Sequence, residues 1–306
     1  MALNSKLTYL SIFAGIGGFE VGIHRVFPDA ICLGFSEIDP NAIKVYQSHY
    51  PTHKNLGPVQ EVKVNETTNI DLLVGGSPCN DLSSTNVKSR WGRTLPPGLQ
   101  GKKSGLFYEF IRVLKECKPR YFILENVGSM KNVDKQIISD LLGVQPLSIN
   151  SLLFSPQNRK RLYWTNIPLT EEDRQLLKKD NPRFTMKDVL EPVNEAKKWI
   201  FDTSESQLYQ SYIKKTEKYG SALRMALVDS DGDHCPTLLA GRAMWVNDKR
   251  IRSVRKMTPI EAERLQTFPD GWTDAISYTN RLRALGNAVT CDVITFLMEC
   301  LHRNER

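Results

Sequence analysis

Paired-cysteine spacing of the CxxC kind is missing from this chain, although six cysteines are present: Cys32, Cys79, Cys117, Cys235, Cys291 and Cys300. The five histidines do not gather around them. A structural zinc site or other bound metal is therefore not expected, and neither is a disulfide framework; reduced thiols in a cytoplasmic protein fit better. No apolar run approaches the roughly 20 residues of a membrane-spanning helix. The N-terminal stretch lacks the charged-then-apolar layout of a signal peptide, because its apolar part, 7–13, is short and holds Thr8 and Ser11. Internal repeats, low-complexity segments and a G-x-G-x-x-G fingerprint are also missing. Acid does not balance base: 41 Lys and Arg stand against 34 Asp and Glu, leaving a net charge of +7 that leans toward a polyanionic partner. What remains is ordinary for a soluble globular protein, with 41% hydrophobic and 25% charged residues over 306 positions, enough for one large domain or two modest ones.

The chain is organised around Gly75-Gly76-Ser77-Pro78-Cys79-Asn80-Asp81-Leu82-Ser83. An apolar run at 70–74, broken only by Asp71, precedes it and reads as a buried parallel strand closed by glycines. A cysteine just past such a strand sits where α/β sheets place their sites, although a lone Cys79 reads first as an inert buried thiol. Around it, strands alternate with helical patterns. Strands are expected at 7–13, 31–36 and 121–124, and near 149–154 and 162–167. Helices are expected at 19–26, 40–49 (capped by Asp39), 106–114 and 133–142. Alternation of this kind predicts a doubly wound, mostly parallel α/β sheet. A polar stretch at 80–104, rich in Pro, Gly, Lys and Arg, interrupts it and reads as a functional loop. After Pro168 the alternation fades into a smaller irregular domain, and 282–301 resumes an apolar helical pattern that packs back on the first. The boundaries are 1–168 plus 279–306 for the first domain and 169–278 for the second.

Phe13-Ala14-Gly15-Ile16-Gly17-Gly18 forms a glycine-rich turn between the first strand and first helix, where backbone can approach a ligand and helix amides are free. Glu37 ends the next strand, the position that commonly takes ribose hydroxyls of an adenosine-type cofactor. Glu125 ends another buried strand of the same sheet, so it projects from the same edge as Cys79. It suits a protonated or shared carboxyl, or equally a helix cap or ion pair. In Gln157-Asn158-Arg159-Lys160-Arg161, the two arginines alternate, so an extended backbone turns both one way. They can hold a base carbonyl or a phosphate, or form a solvated basic face.

In this order the pieces resemble the cytosine-C5 DNA methyltransferase family over nearly the whole chain. Phe13–Gly18 is similar to its S-adenosylmethionine loop, Pro78-Cys79 to its nucleophile dipeptide, and Glu125-Asn126-Val127 to its base-binding triplet. Gln157-x-Arg159-x-Arg161 resembles its QxRxR element. Arg255-Lys256-Met257-Thr258-Pro259 with Arg264, Leu265, Gln266, Phe268 and Pro269 resembles its late hinge motif, and Gly286-Asn287-Ala288-Val289 the start of its last cofactor-side helix. Thr237-Leu238 is similar to the dipeptide of its target-recognition regions. Asn80-Asp81-Leu82-Ser83 resembles the animal de novo members instead of the Pro-Cys-Gln of most bacterial ones. Pro58 stands where an Asp usually meets the adenine amine, and Ile38 replaces an aromatic residue that often stacks on adenine.

The resemblance implies an S-adenosylmethionine-dependent methyltransferase fold with a smaller target-recognition domain, and a bacterial or phage source. It implies transfer of a methyl group from S-adenosyl-L-methionine, leaving S-adenosyl-L-homocysteine, to C5 of a flipped-out cytosine in double-stranded DNA. The thiolate of Cys79 adds at C6, Glu125 serves N3, and Arg161 meets O2 with Arg159 in support. Ile38, Pro78, Leu106, Asn287 and Ala288 join the glycine loop and Glu37 around the cofactor. Asn80, Ser83, Lys88, Arg90 and Arg93 of the loop, and Thr237, Arg242, Lys249 and Arg250 of the small domain, face DNA. A cognate restriction endonuclease is a candidate partner, and a monomer is favoured. The alternatives are an RNA-directed relative, whose Cys-Phe-Thr tripeptide is not found here, an inactive DNA-binding relative, and an NAD-dependent oxidoreductase without its fingerprint.

Overall fold

The structure is a computed structural model that describes residues 6–63, 69–79, 81–82, 98–101, 103–179, 182–200, 227–240 and 244–305. The chain divides into two units. The first comprises Met1–Ile149, Lys160–Lys178 and Val293–Arg306, and the second Asn150–Arg159 and Lys179–Asp292. These boundaries differ from the 168 and 279 suggested by the change in composition.

Alternating apolar runs and amphipathic segments build the first unit. Its sheet contains β1 (Thr8–Ile12), β2 (Ile31–Ser36), β3 (Leu72–Gly76), β4 (Tyr121–Val127), β5 (Leu147–Asn150) and, after the short β6 (Gln157–Asn158) of the second unit, β7 (Lys160–Thr165). Strand order is β2-β1-β3-β4-β7-β5. β2, β1, β3 and β4 run parallel, and the order reverses between β1 and β3. Helices α1 (Gly18–Val26), α2 (Pro40–His49), α3 (Phe107–Cys117) and α4 (Asn132–Leu142) follow β1, β2, β3 and β4 in the chain. The α2 start is the expected one: the Asp39 side chain accepts from the Asn41 amide at 2.9 Å, and Pro40 occupies the first turn. Leu10, Ile12, Leu73, Phe107, Phe110, Leu124 and Trp164 form the heart of the core.

Two elements differ from expectation. The strand at 162–167 does not continue the parallel series: β7 runs antiparallel to β4, with Val127 opposite Arg161 and Glu125 opposite Tyr163. A parallel return needs a crossover of a dozen or more residues, and the connection from β5 to β7 has no helix of that size. Instead, 151–153 form a single 3-10 turn where the sequence suggests a strand. The C-terminal apolar pattern also breaks in two. After α5 (Glu171–Leu177) of the first unit come α6 (Val193–Lys197), α7 (Pro259–Leu265) and α8 (Tyr278–Asn287), and then α9 (Cys291–Glu305). Ala288 is extended between α8 and α9, at φ −69 and ψ 158. Its carbonyl is taken by Arg159 Nη2 at 2.8 Å and Gln266 Nε2 at 3.1 Å, so it is diverted from a continuing helix. The most apolar window within 278–305 is two-thirds buried, the pattern of a core helix.

The second unit contains a three-stranded sheet, β11-β10-β8, made of β8 (Leu227–Asp229), β10 (Trp245–Asp248) and β11 (Ser253–Lys256). β9 (Cys235–Pro236) pairs with β6. Its centre is polar: fully buried Arg255 meets Asp248 at 2.9 Å and Glu261 at 2.6 Å. Glu261 also closes the capping box of α7 with Thr258.

Candidate active site

The C-terminal ends of β1, β2, β3 and β4, four neighbouring parallel strands, carry the glycine turn, Glu37, Cys79 and Glu125. Ligands of open α/β sheets bind at that edge, near the point where strand order reverses.

The turn after β1 is built from left-handed backbone. Phe13 has φ 56, Gly15 φ 57 and Gly17 φ 87. At Phe13 this conformation, which side chains avoid, costs about 1–3 kcal/mol, and such strain is typical of functional turns. Among the described residues, a Cβ placed on Gly15 would meet no atom within 4 Å, so the turn presents an open face to them there. Buried Ala14, Ile16 and Gly18 anchor its other side, and the Ala14 amide bonds the Ser36 carbonyl at 3.1 Å. Glu37 bridges the two strand ends. Its Oε2 accepts from the Gly15 amide at 2.9 Å, and its Oε1 from the Ile38 and Asp39 amides at 2.7 and 2.8 Å. Asn55, absent from the sequence expectations, holds Glu37 from outside: its Nδ2 donates to the Glu37 carbonyl at 3.2 Å, and its Oδ1 accepts from the Gly57 amide at 3.0 Å. No spacing in the sequence links these positions. Ile38 is 68% exposed beside Glu37, a large apolar side chain left open at the strand edge. Pro58 precedes a 3-10 turn, Val59–Glu61.

Cys79 follows β3, half-buried against the core. Three successive carbonyls around it each take a donor. Asn126 Nδ2 reaches the Ser77 carbonyl at 3.1 Å, Ser104 Oγ the Pro78 carbonyl at 3.2 Å, and the Leu82 amide the Cys79 carbonyl at 3.0 Å. Register places Gly76 beside Glu125, and a Cβ on Gly76 would lie 3.2 Å from Glu125 Oε2. Glu125 in turn pairs with Arg161, Nε to Oε1, at 3.1 Å, with both side chains largely buried. The carboxylate end of β4 and the guanidinium of β7 therefore meet beside the strand that carries the thiol. Leu106, half-buried, ends the 3-10 turn Ser104–Leu106 that leads into α3.

Alternation does not bring Arg159 and Arg161 to one place. Arg159, 2% exposed, donates to the carbonyls of Leu238 (3.1 Å), Gly286 (3.1 Å) and Ala288 (2.8 Å), all in the second unit. Gln157 is equally internal, donating to the Leu265 carbonyl at 3.0 Å and accepting from the Leu238 amide at 2.9 Å. The backbone leaves the ladder at Arg159, between β6 and β7, so the period of two fails there. Thr237 Oγ1 donates to the Asn158 carbonyl at 2.7 Å. Asn287 ends α8, exposed. Lys249 Nζ lies 2.7 Å from Asp231, and the Arg250 guanidinium grips Asp248 at 2.7 Å and the Glu191 carbonyl at 2.9 Å. Asn80, Ser83, Lys88, Arg90, Arg93 and Arg242 lie outside the described residues.

A family model described as C-5 cytosine-specific DNA methylase matches residues 7–303. The Type II methyltransferase M.NlaX of Neisseria lactamica is 27% identical over 95% of this chain and 94% of its own. M1.ScrFI of Lactococcus lactis subsp. cremoris, also a Type II methyltransferase, is 29% identical over 96% of this chain and 78% of its own. Among solved structures, the Entamoeba histolytica methyltransferase EhMeth superposes with a TM-score of 0.68 at 16% identity, covering 99% of this chain and 100% of its own, a likeness of fold.

Proposed function

The chain belongs to the C-5 cytosine-specific DNA methylase family, with residues 7–303 matched, and on that footing we propose which of its residues carry the reaction. It is a DNA (cytosine-5-)-methyltransferase, and enzymes of this family depend on S-adenosylmethionine. The first unit suits that cofactor on two observations: the open face at Gly15, and the Glu37 carboxylate fixed at the adjacent strand end. Phe13–Gly18, Glu37 and Ile38 would hold it, with Pro78, Leu106, Asn287 and Ala288 as further contacts implied by the family motifs. Bound there, it supplies an electrophilic methyl group.

Cytosine C5 is a poor nucleophile until a group adds at C6. The Cys79 thiolate makes that addition, and the electron pair moves toward C5 and N3. Glu125 hydrogen-bonds or protonates N3, and Arg161, held against Glu125, meets O2. After methylation, loss of the C5 proton re-forms the double bond and expels the thiolate. The base must leave the stack first, at a cost of a few kcal/mol. Arg159 acts differently, as a tie between the Leu238 and Gly286–Ala288 backbones. Catalysis and cofactor binding are assigned to 1–168 plus 279–306 and sequence choice to 169–278, the division that the sequence suggests. The Type II naming of the relatives supports a restriction-modification role on cytoplasmic DNA. A cognate restriction endonuclease as partner and a monomeric enzyme are part of the same proposal.

The single observation that carries the reading is the register Gly76 beside Glu125, with Glu125 paired to Arg161 and Cys79 held among three carbonyl anchors. Duplex DNA carrying 5-fluorocytosine at the target should trap the protein in a denaturant-stable complex. Cys79→Ser should not trap; trapping at the wild-type level by that variant would remove Cys79 from the role.

A further inference from the structure

Asp81 and Ser104 lie far apart in sequence but bond to each other twice close to Cys79, and Lys103 adds a third bond to Asp81. The Asp81 amide donates to Ser104 Oγ at 3.1 Å, and Asp81 Oδ2 accepts from the Lys103 and Ser104 amides, each at 3.1 Å. Ser104 Oγ then donates its proton to the Pro78 carbonyl at 3.2 Å. That carbonyl belongs to the peptide unit that enters Cys79.

Ser104 has no solvent exposure, so its hydroxyl is not shared with water. One hydroxyl hydrogen and one acceptor lone pair suffice for the two bonds it makes. Asp81 sits on the first amides of the 3-10 turn Ser104–Leu106, which runs directly into α3, and a carboxylate is favoured at that end of a helix. The packing is tight: a Cβ on Gly101 would run into the Asp81 carboxylate. The Gly98 amide also donates to the Asp81 carbonyl at 3.1 Å, so residues 81 and 98 are joined at this point. The result is a continuous path of bonds from α3, a core helix, through Asp81 and Ser104 to the backbone of the nucleophile.

We propose that Asp81 and Ser104 are positioning residues that hold the Pro78–Cys79 peptide in register with Glu125 at the end of β4, so that the thiolate meets C6 without searching. The proposal rests on the assignment of Cys79 as nucleophile. Neither residue touches the reacting atoms, and their effect reaches the reaction only through the Pro78 carbonyl. Misplacement of a reacting group by about an ångström costs on the order of a hundredfold. Loss of one of three backbone anchors is a smaller disturbance, and about tenfold is expected.

The experiment compares wild type with Ser104→Ala, Ser104→Thr and Asp81→Asn, all as full chains. Three readouts are taken: the single-turnover rate of adduct formation on 5-fluorocytosine duplex DNA, equilibrium DNA affinity, and the melting temperature. Ser104→Ala should slow adduct formation about tenfold while DNA affinity stays within about twofold. Asp81→Asn should shift in the same direction, because the amide keeps the shape but weakens the grip on two backbone N–H groups. Ser104→Thr, which keeps the hydroxyl, should restore the rate. Wild-type adduct rates in Ser104→Ala or in Asp81→Asn would overturn the proposal. So would a slow Ser104→Thr that melts like wild type, since the hydroxyl would then not be the group responsible. If wild type itself fails to trap, the nucleophile assignment fails first; if wild type traps and all three variants match it, only the positioning role fails.

Discussion

Glu20 has no solvent face. It lies in the first turn of α1, fully buried, with Oε1 accepting from the Tyr46 hydroxyl at 3.0 Å. Burial is the largest cause that pushes its carboxyl up to about 7, against hydrogen bonds from Ser11 and Tyr46 that pull it back. Cys32, Tyr9 and Tyr46 are raised in turn, each chiefly by burial and then by the nearby Glu20 charge. His53 Nδ1 shares the Tyr46 hydroxyl at 3.0 Å, and His24 Nε2 meets the Tyr9 hydroxyl at 3.0 Å; burial lowers both imidazoles. The folded protein therefore holds the Glu20 proton more tightly than the unfolded chain. The stability tied to that proton is complete below 4.5 and is lost as pH rises through about 7. The two histidines act oppositely, since their contribution is present above 6.5 and is lost as pH falls below it. Across the whole Glu20 window the loss is on the order of 3 kcal/mol. Glu20→Gln should remove the alkaline part of the loss. Melting temperatures at about pH 6 and about pH 9 will diverge between wild type and variant, and parallel curves would show that Glu20 does not titrate in this range.

Among the elements, close approach of backbones decides where α1 sits. A Cβ on Gly22, mid-way along α1, would lie 2.5 Å from Ile294 Cβ and 2.9 Å from the Thr295 amide of α9. Rigid backbone on the far side leaves little room for relief. Gly22→Ala should improve helix propensity by up to about 1 kcal/mol and still lose on balance, because overpacking costs about 1–3 kcal/mol. Urea unfolding should show a lower midpoint at unchanged slope; a stabilised variant would mean that α9 gives way cheaply. The glycine turn depends on α1 directly, since the Val21 amide closes on the Gly17 carbonyl at 3.0 Å and Gly17 caps the helix.

Over the molecule as a whole, the net charge of +7 attracts DNA phosphate, but individual cations differ in availability. Arg250 is bound twice over, to Asp248 and to the Glu191 carbonyl, and Asp248 also holds buried Arg255. Lys249 pairs with Asp231 at an exposed position, where ion pairs are weak and exchange readily. Lys249→Ala should therefore flatten the dependence of log K on log salt by about 0.9, as for one phosphate contact. Arg250→Ala should lower the melting temperature and leave that slope nearly intact. Equal slope changes in the two variants would return Arg250 to the phosphate-binding set.

The parallel strand series, the cap and first turn of α2, the glycine turn, and the positions of Glu37 and Cys79 just past their strands were all legible in the amino-acid sequence; Glu125, expected to end its strand, lies inside β4, which continues to Val127. They depend on local physics: apolar period, glycine freedom, proline geometry and the rule that sites gather at strand ends. Tertiary packing set the rest: the direction of β7, the break between α8 and α9, and the separate engagements of Arg159 and Arg161. The same holds for the Asn55 brace on Glu37 and the Asp81–Ser104 couple. Each of those joins residues distant in sequence, and a hydrogen bond between distant residues leaves no period or spacing in the chain that makes it. Arg159 and Arg161 show the limit most plainly. Their alternation is real, but a residue that leaves the ladder loses the period of two, and a buried guanidinium takes whatever carbonyls the fold brings within 3.1 Å.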